Sequence, residues 1–102
     1  MKIKKVLDFK SITPFFELCR DGLKPFDIRL HDSRDSRFKA LHQVRFIKDL
    51  KGWVIRFINP ATGETFCRRL LGWEYMTDQN RVCFKPDWVI MYLGETISNE
   101  TH

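Results

Sequence analysis

The sequence has no run approaching the ~20 apolar residues of a membrane-spanning helix, so no membrane partner is expected. Its basic start, Met1-Lys2-Ile3-Lys4-Lys5, is not followed by the apolar stretch of a secretory leader. Cysteine is scarce: Cys19, Cys67 and Cys83 make an odd count, and no two sit at metal-ligand spacing. They read as reduced thiols serving as small core hydrophobes, which points to a cytoplasmic protein. None of Ser11, Ser33, Ser36 and Ser98 lies in a Gly-x-Ser-x-Gly elbow, and no local Cys/His pair suggests a nucleophile. His31 lies beside Asp32 and Asp35, but no second histidine follows at a useful spacing. No metal and no other cofactor is therefore expected. Repeats and low-complexity segments are absent too.

What is present is enough for one packed domain. In 102 residues, 43% are hydrophobic and 14% aromatic, which argues against wholesale disorder. Lys and Arg outnumber Asp and Glu by 18 to 13, giving a net charge of +5. That excess favours a polyanionic partner such as RNA or a nucleotide.

Local signals predict the elements. Lys2 to Phe9 suits a short first strand. Thr13 as N-cap, Pro14 at the first helical position and Phe15, Leu18 and Cys19 on one stripe predict a helix over 13–21. Gly22 is a natural stop, and Pro25 prevents resumption. Phe26 to His31 alternates without a break, which predicts a strand with Phe26, Ile28 and Leu30 inward and Asp27, Arg29 and His31 outward. Asp32 to Arg37 reads as a charged loop. Val44 to Ile47 and Trp53 to Ile58 read as strands. Asn59 to Gly63 reads as a hairpin turn into a strand over 64–71. A polar loop over 77–81, a last strand over 88–93 and a frayed tail over 98–102 complete the pass. One helix and five or six short strands predict an α+β fold, a small, partly closed β-barrel over residues 1–97 with the helix at one end.

The stretch Gly22-Leu23-Lys24-Pro25-Phe26-Asp27-Ile28-Arg29 resembles the ASCH domains of the PUA-like superfamily, most of all a small uncharacterised ASCH-like group of bacteria and phages. Phe15-Phe16 stands for that group's aromatic pair, and Asp32-Ser33-Arg34-Asp35-Ser36-Arg37-Phe38 for its charged segment and phenylalanine. Thr62-Gly63 and the closing strand also fit. Lys39-Ala40-Leu41-His42-Gln43 departs from the pattern, standing where the group has a Gly-Asp turn. The resemblance implies a PUA-like barrel with an RNA- or nucleotide-related cleft beside the helix.

Lys24, Asp27 and Arg29 are the first candidate constellation, with Arg29 able to fork onto phosphate or a base edge and Lys24 acting as a point charge. An ordinary solvated strand face is the plainer alternative. Arg34 and Arg37 can close a charged loop over a ligand phosphate, or simply face water. Arg45, Lys48, Lys51, Arg56, Arg68 and Arg69 form a basic region near Trp53, Phe66 and Trp73. Trp53 and Trp88 sit in apolar alternation and read as core, which leaves Trp73 as the stacking candidate. Three functions stay open. The first is a binding module for RNA or a nucleotide using Lys24, Asp27, Arg29, Arg34, Arg37 and Trp73. The second, carried by resemblance to one ASCH branch, is an amidohydrolase acting on an acylated nucleoside through Lys24, with Asp27 where those enzymes have threonine. The third is a phage-type protein that binds a host protein.

Overall fold

A computed structural model describes residues 2–76 and 87–97. The loop expected over 77–81, Cys83 and the tail expected over 98–102 lie outside the described residues. The elements are β1 (Lys5–Lys10), α1 (Phe15–Arg20), β2 (Phe26–Leu30), α2 (Ser36–His42), a 3-10 turn (Ile47–Leu50), β3 (Trp53–Ile58), β4 (Thr65–Met76) and β5 (Trp88–Ile97). The five strands form one mixed sheet in the order β1-β3-β4-β5-β2, curled into a half-barrel. β1 pairs with β3 in parallel, and the other neighbours are antiparallel. Among the described residues the fold is α+β, with two helices where the sequence predicts one.

The concave side holds the core. Leu7 and Phe9 of β1, Ile55 and Phe57 of β3, Phe66 and Leu70 of β4, and Val89, Met91 and Leu93 of β5 meet Phe16 and Cys19 of α1 and Phe38 and Leu41 of α2. The Phe16 ring meets Phe66 edge-on at 4.9 Å. Cys19 and Cys67 are buried free thiols, and burial pushes both pKa values up. They behave as small hydrophobes, as expected. Trp53 packs against this core while Trp88 does not: it is 37% exposed, because β5 turns Val89 and Met91 inward instead.

The stop of α1 follows the sequence. Gly22 takes φ +77, its N–H donates to the Cys19 carbonyl, and the Leu23 N–H donates back to Leu18. This is the paired closure that a left-handed glycine permits. The start of α1 differs. The helix begins at Phe15, with Pro14 rather than Thr13 at the cap position, and the Thr13 hydroxyl accepts from Asn59 Nδ2 at 3.0 Å. The buried stripe is Phe16 and Cys19, so Phe15 and Leu18 face out. The hairpin over 59–64 forms as expected, with Gly63 N–H donating to the Asn59 carbonyl and Ala61 N–H to the Asn59 side chain.

Two segments depart further. The expected loop over 32–37 is a turn leading into α2, whose apolar pair Phe38 and Leu41 reaches the core. Val44 to Ile47 is not a strand. It passes into the 3-10 turn, where only Leu50 is buried and Ile47 is 74% exposed.

Candidate ligand-binding cleft

β2 is a strand, but its faces are reversed from the expectation. Asp27 is buried at 3% exposure and Arg29 is half-buried, while Phe26, Ile28 and Leu30 point outward. The cause is β5. Asp27 pairs with Met91 and Arg29 with Val89, so the apolar inward residues of β5 carry the polar residues of β2 to the same side. At this edge of the half-barrel the inward side is a cleft rather than the core.

The buried Asp27 carboxylate organises that cleft. Lys24 Nζ donates to its Oδ1 at 3.0 Å, and Arg29 Nε donates to its Oδ2 at 2.5 Å. Arg29 Nη1 reaches across to the Lys10 carbonyl of β1 at 2.7 Å. Arg37, on α2, donates from Nη1 to the Asp8 carbonyl at 2.6 Å. Alternate residues of a parallel strand turn their backbone groups to one side, so Asp8 and Lys10 present theirs to the open edge of β1. Arg29 thus ties the two edges of the sheet, β2 and β1, while Arg37 ties α2 to β1. Both guanidiniums lie over the Phe9 ring, Arg37 Cζ at 4.1 Å and Arg29 Cζ at 5.1 Å from its centroid, which suits a cation on an aromatic face.

Two adjoining clefts share Lys10 and Arg29. One, of about 340 Å³, is lined by Lys10, Ser11, Ile12, Phe15, Lys24, Asp27, Ile28 and Arg29. The other, of about 500 Å³, runs past Asp8, Phe9, Leu30, Asp32, Asp35, Arg37, Phe38 and Ile58. In the first, Lys10, Lys24 and Arg29 face one carboxylate. Among the described residues, Arg29 Nη2 has no protein partner, and Lys24 Nζ uses one of its three protons. Phe15, 53% exposed, lies 5.9 Å from Lys24 Nζ and offers a ring beside the cations. Phe15 and Lys10 carried no sequence signal for this role, because only the fold brings them to Arg29.

The second cleft is nearer to charge balance. Asp35 caps α2, accepting from the Arg37 N–H at 2.8 Å, and its carboxylate also takes the Arg37 guanidinium, with Nη2 at 2.5 Å. The Arg37 hydrogen bonds hold the Asp35 carboxyl below the usual carboxylate range. A group with a lowered folded pKa gives stability that is fully present above its unfolded value and is lost as pH falls through its folded value. Asp35→Ala is therefore expected to cost about 1–2 kcal/mol at neutral pH, the worth of a lost N-cap. That difference should shrink as the pH is lowered below about 4, the ordinary aspartate range. Urea unfolding across that pH range checks it, and a pH-independent difference would remove the charge component.

The remaining sequence candidates lie elsewhere. Arg34 has a side chain 90% exposed, pairs loosely with Asp32, and lines a separate shallow cleft with His31 and Tyr75. Trp73 is partly buried against the core and meets the His42 ring edge-on at 4.9 Å, so it is not beside Lys24. Arg56 is held by Asp8 through two bonds of 2.6 and 2.8 Å, and Arg69 pairs with Glu95 at 3.2 Å. Arg68 is not on the outer face at all: it is 4% exposed and donates to four main-chain carbonyls. His31 does find a second histidine. Helix α2 brings His42 Nε2 to 3.0 Å from His31 Nε2, a contact in which one ring donates and the other accepts. Among the described residues, no three His, Cys, Asp or Glu side chains gather to hold a metal ion, and no helix is long and apolar enough to cross a membrane.

Comparison of the chain with models of known families, with curated proteins and with solved structures finds no match.

Proposed function

We propose that this chain is a small binding module of the ASCH-like, PUA-related kind, whose Lys24–Asp27–Arg29 cleft takes the phosphate of a nucleotide or of single-stranded RNA. The observation that carries the reading is the buried Asp27 carboxylate, which holds Lys24 and Arg29 side by side with donors left over. A fixed guanidinium beside an ammonium suits a phosphate, Arg29 through its remaining Nη2 and Lys24 as a point charge. The exposed Phe15 ring supplies a surface on which a base can stack. The net charge of +5 adds long-range attraction.

The amidohydrolase reading is weaker on the same geometry. A lysine nucleophile must be a free amine. Here Lys24 is one half of a 3.0 Å ion pair with the residue that replaces the enzymes' threonine. Incubation with an acylated cytidine is expected to give no deacylation.

The binding reading is tested with a labelled single-stranded RNA oligomer in an anisotropy titration. If Lys24 and Arg29 share one phosphate and Lys10 neutralises the next, log Kd against log salt should have a slope of about 1.4, or roughly a 25-fold loss of affinity per tenfold rise in salt. Absence of binding at low salt, to RNA and to mononucleotides alike, would reject the proposal in favour of a protein partner.

A further inference from the structure

The reversed facing of β2 leaves a second surface on the outer side of the sheet. On the outer side of the sheet, Phe26, Ile28 and Leu30 of β2 stand opposite Tyr92, Ile90 and Trp88 of β5. These in turn stand opposite Gly72, Glu74 and Met76 of β4. Of these nine positions, seven carry large apolar or aromatic side chains. Phe26, Ile28, Leu30, Met76, Trp88 and Tyr92 are between 37% and 55% exposed. Their exposed parts together are on the order of 600 Å², at the upper end for a monomer's largest apolar patch and most of the ~800 Å² that one partner contributes to a stable interface.

We infer that this face packs against the same face of a second copy of the chain, forming a two-fold dimer with the ligand clefts on the far sides.

Charge selects that occupant. The chain carries +5, so two copies repel unless the contact itself is free of cations. No Lys or Arg occupies any of the nine positions. The face's one ionisable carboxylate, Glu74, lies against the Tyr92 phenol. Shape agrees. β5 runs between β2 and β4 on this face, so a two-fold axis along β5 sets β2 of one copy over β4 of the other, with Phe26 over Gly72, Leu30 over Met76 and Ile28, not a second carboxylate, over Glu74. Such an axis makes the patch self-complementary, as an isologous interface requires. Two sheets stacked in this way lie about 10 Å apart with their side chains interleaved. Asp27 and Arg29 point to the opposite side of β2, so dimerisation covers the Ile28 rim of the cleft but leaves its charged groups open.

Sedimentation equilibrium over a wide range of protein concentration tests this. The wild-type chain should move from one to two chain masses as concentration rises through the micromolar range. A double variant, Trp88→Glu with Ile90→Glu, should stay monomeric throughout while keeping the wild-type circular dichroism spectrum. Ile47→Glu, at an exposed apolar residue off this face, should dimerise like the wild type. If the double variant fails to fold, Met76→Glu alone should raise the dimer dissociation constant at least tenfold. A wild-type chain that remains monomeric at high concentration overturns the inference, and so does a dimer that survives these substitutions on the face.

Discussion

Arg68→Ala is expected to lower the free energy of unfolding by about 3–5 kcal/mol, the combined effect of buried carbonyls that lose their donors and of the cavity left behind. Arg68 sits on the inward side of β4, opposite Ile55 of β3 and Thr96 of β5. Its Nε donates to the Gly94 carbonyl at 2.9 Å, and Nη2 donates to Leu93 at 3.4 Å. Nη1 is shared between the carbonyls of Lys24 and, at 3.3 Å, Cys19. One planar group thereby ties the end of α1, the approach to β2 and the tail of β5 to the centre of the sheet. Cys19 O lies in the last turn of α1, where it accepts from the Gly22 N–H as well and where the helix end favours a cation. Alanine removes the donors, leaves buried carbonyls without partners and opens a cavity. Lysine cannot reproduce the fork, so Arg68→Lys should recover only part of the loss. Urea unfolding measures both. A change below about 0.5 kcal/mol, the usual size for a surface site, would mean that Arg68 faces water.

Asp27→Ala is expected to cost about 2–3 kcal/mol in stability. The figure lies below that for a fully buried pair because Lys24 and Arg29, at 29% and 27% side-chain exposure, can take up water through the cleft. Its effect on ligand affinity is more informative. Removing a carboxylate makes the cleft more positive, so an account based on charge alone predicts tighter binding. If Asp27 acts by fixing where the two cations point, affinity should instead fall, by roughly tenfold, about 1.4 kcal/mol. Asp27→Asn keeps the shape and one acceptor, so it should fall between the wild type and alanine in both measurements. Tighter RNA binding by Asp27→Ala would show that placement does not matter.

The parts of this fold that the sequence reveals are those fixed by neighbouring residues. Gly22 stops α1 because left-handed backbone is needed at that one position, and Asn59 to Gly63 turns the hairpin through its own hydrogen bonds. The extent of β2 was legible in the alternation of Phe26 to Leu30, but its facing was not. A strand at a sheet's edge takes its facing from its partner, and Val89 and Met91 on β5 decide it some sixty residues later. Helix α2 had a signal that the surrounding charge hid. Asp35 as N-cap, with Phe38 and Leu41 at helical spacing, marks it, yet the residues from Asp32 to Arg37 resemble a solvated loop. Of the candidate site, Lys24, Asp27 and Arg29 do come together, since they are close in sequence on one strand and its approach. Arg34 and Trp73 were separated from them by the rise of α2 and by the inward turn of β4. The buried role of Arg68 was hidden because a strand residue flanked by Cys67 and Arg69 gives no local sign of which side is the core.

The most direct test of the cleft exchanges its two cations and measures affinity for single-stranded RNA at low salt. Arg29 gives Nε to Asp27 and Nη1 to the Lys10 carbonyl while keeping Nη2 for a ligand. Lysine, with one nitrogen, cannot do all three, so Arg29→Lys should lose about 1–3 kcal/mol of binding, the range for a charged hydrogen bond. Lys24 contributes a charge and one bond to Asp27, both of which arginine supplies, so Lys24→Arg should bind within about threefold of the wild type. Equal losses from the two exchanges, or affinity unchanged in Arg29→Lys, would contradict a phosphate site built on Arg29.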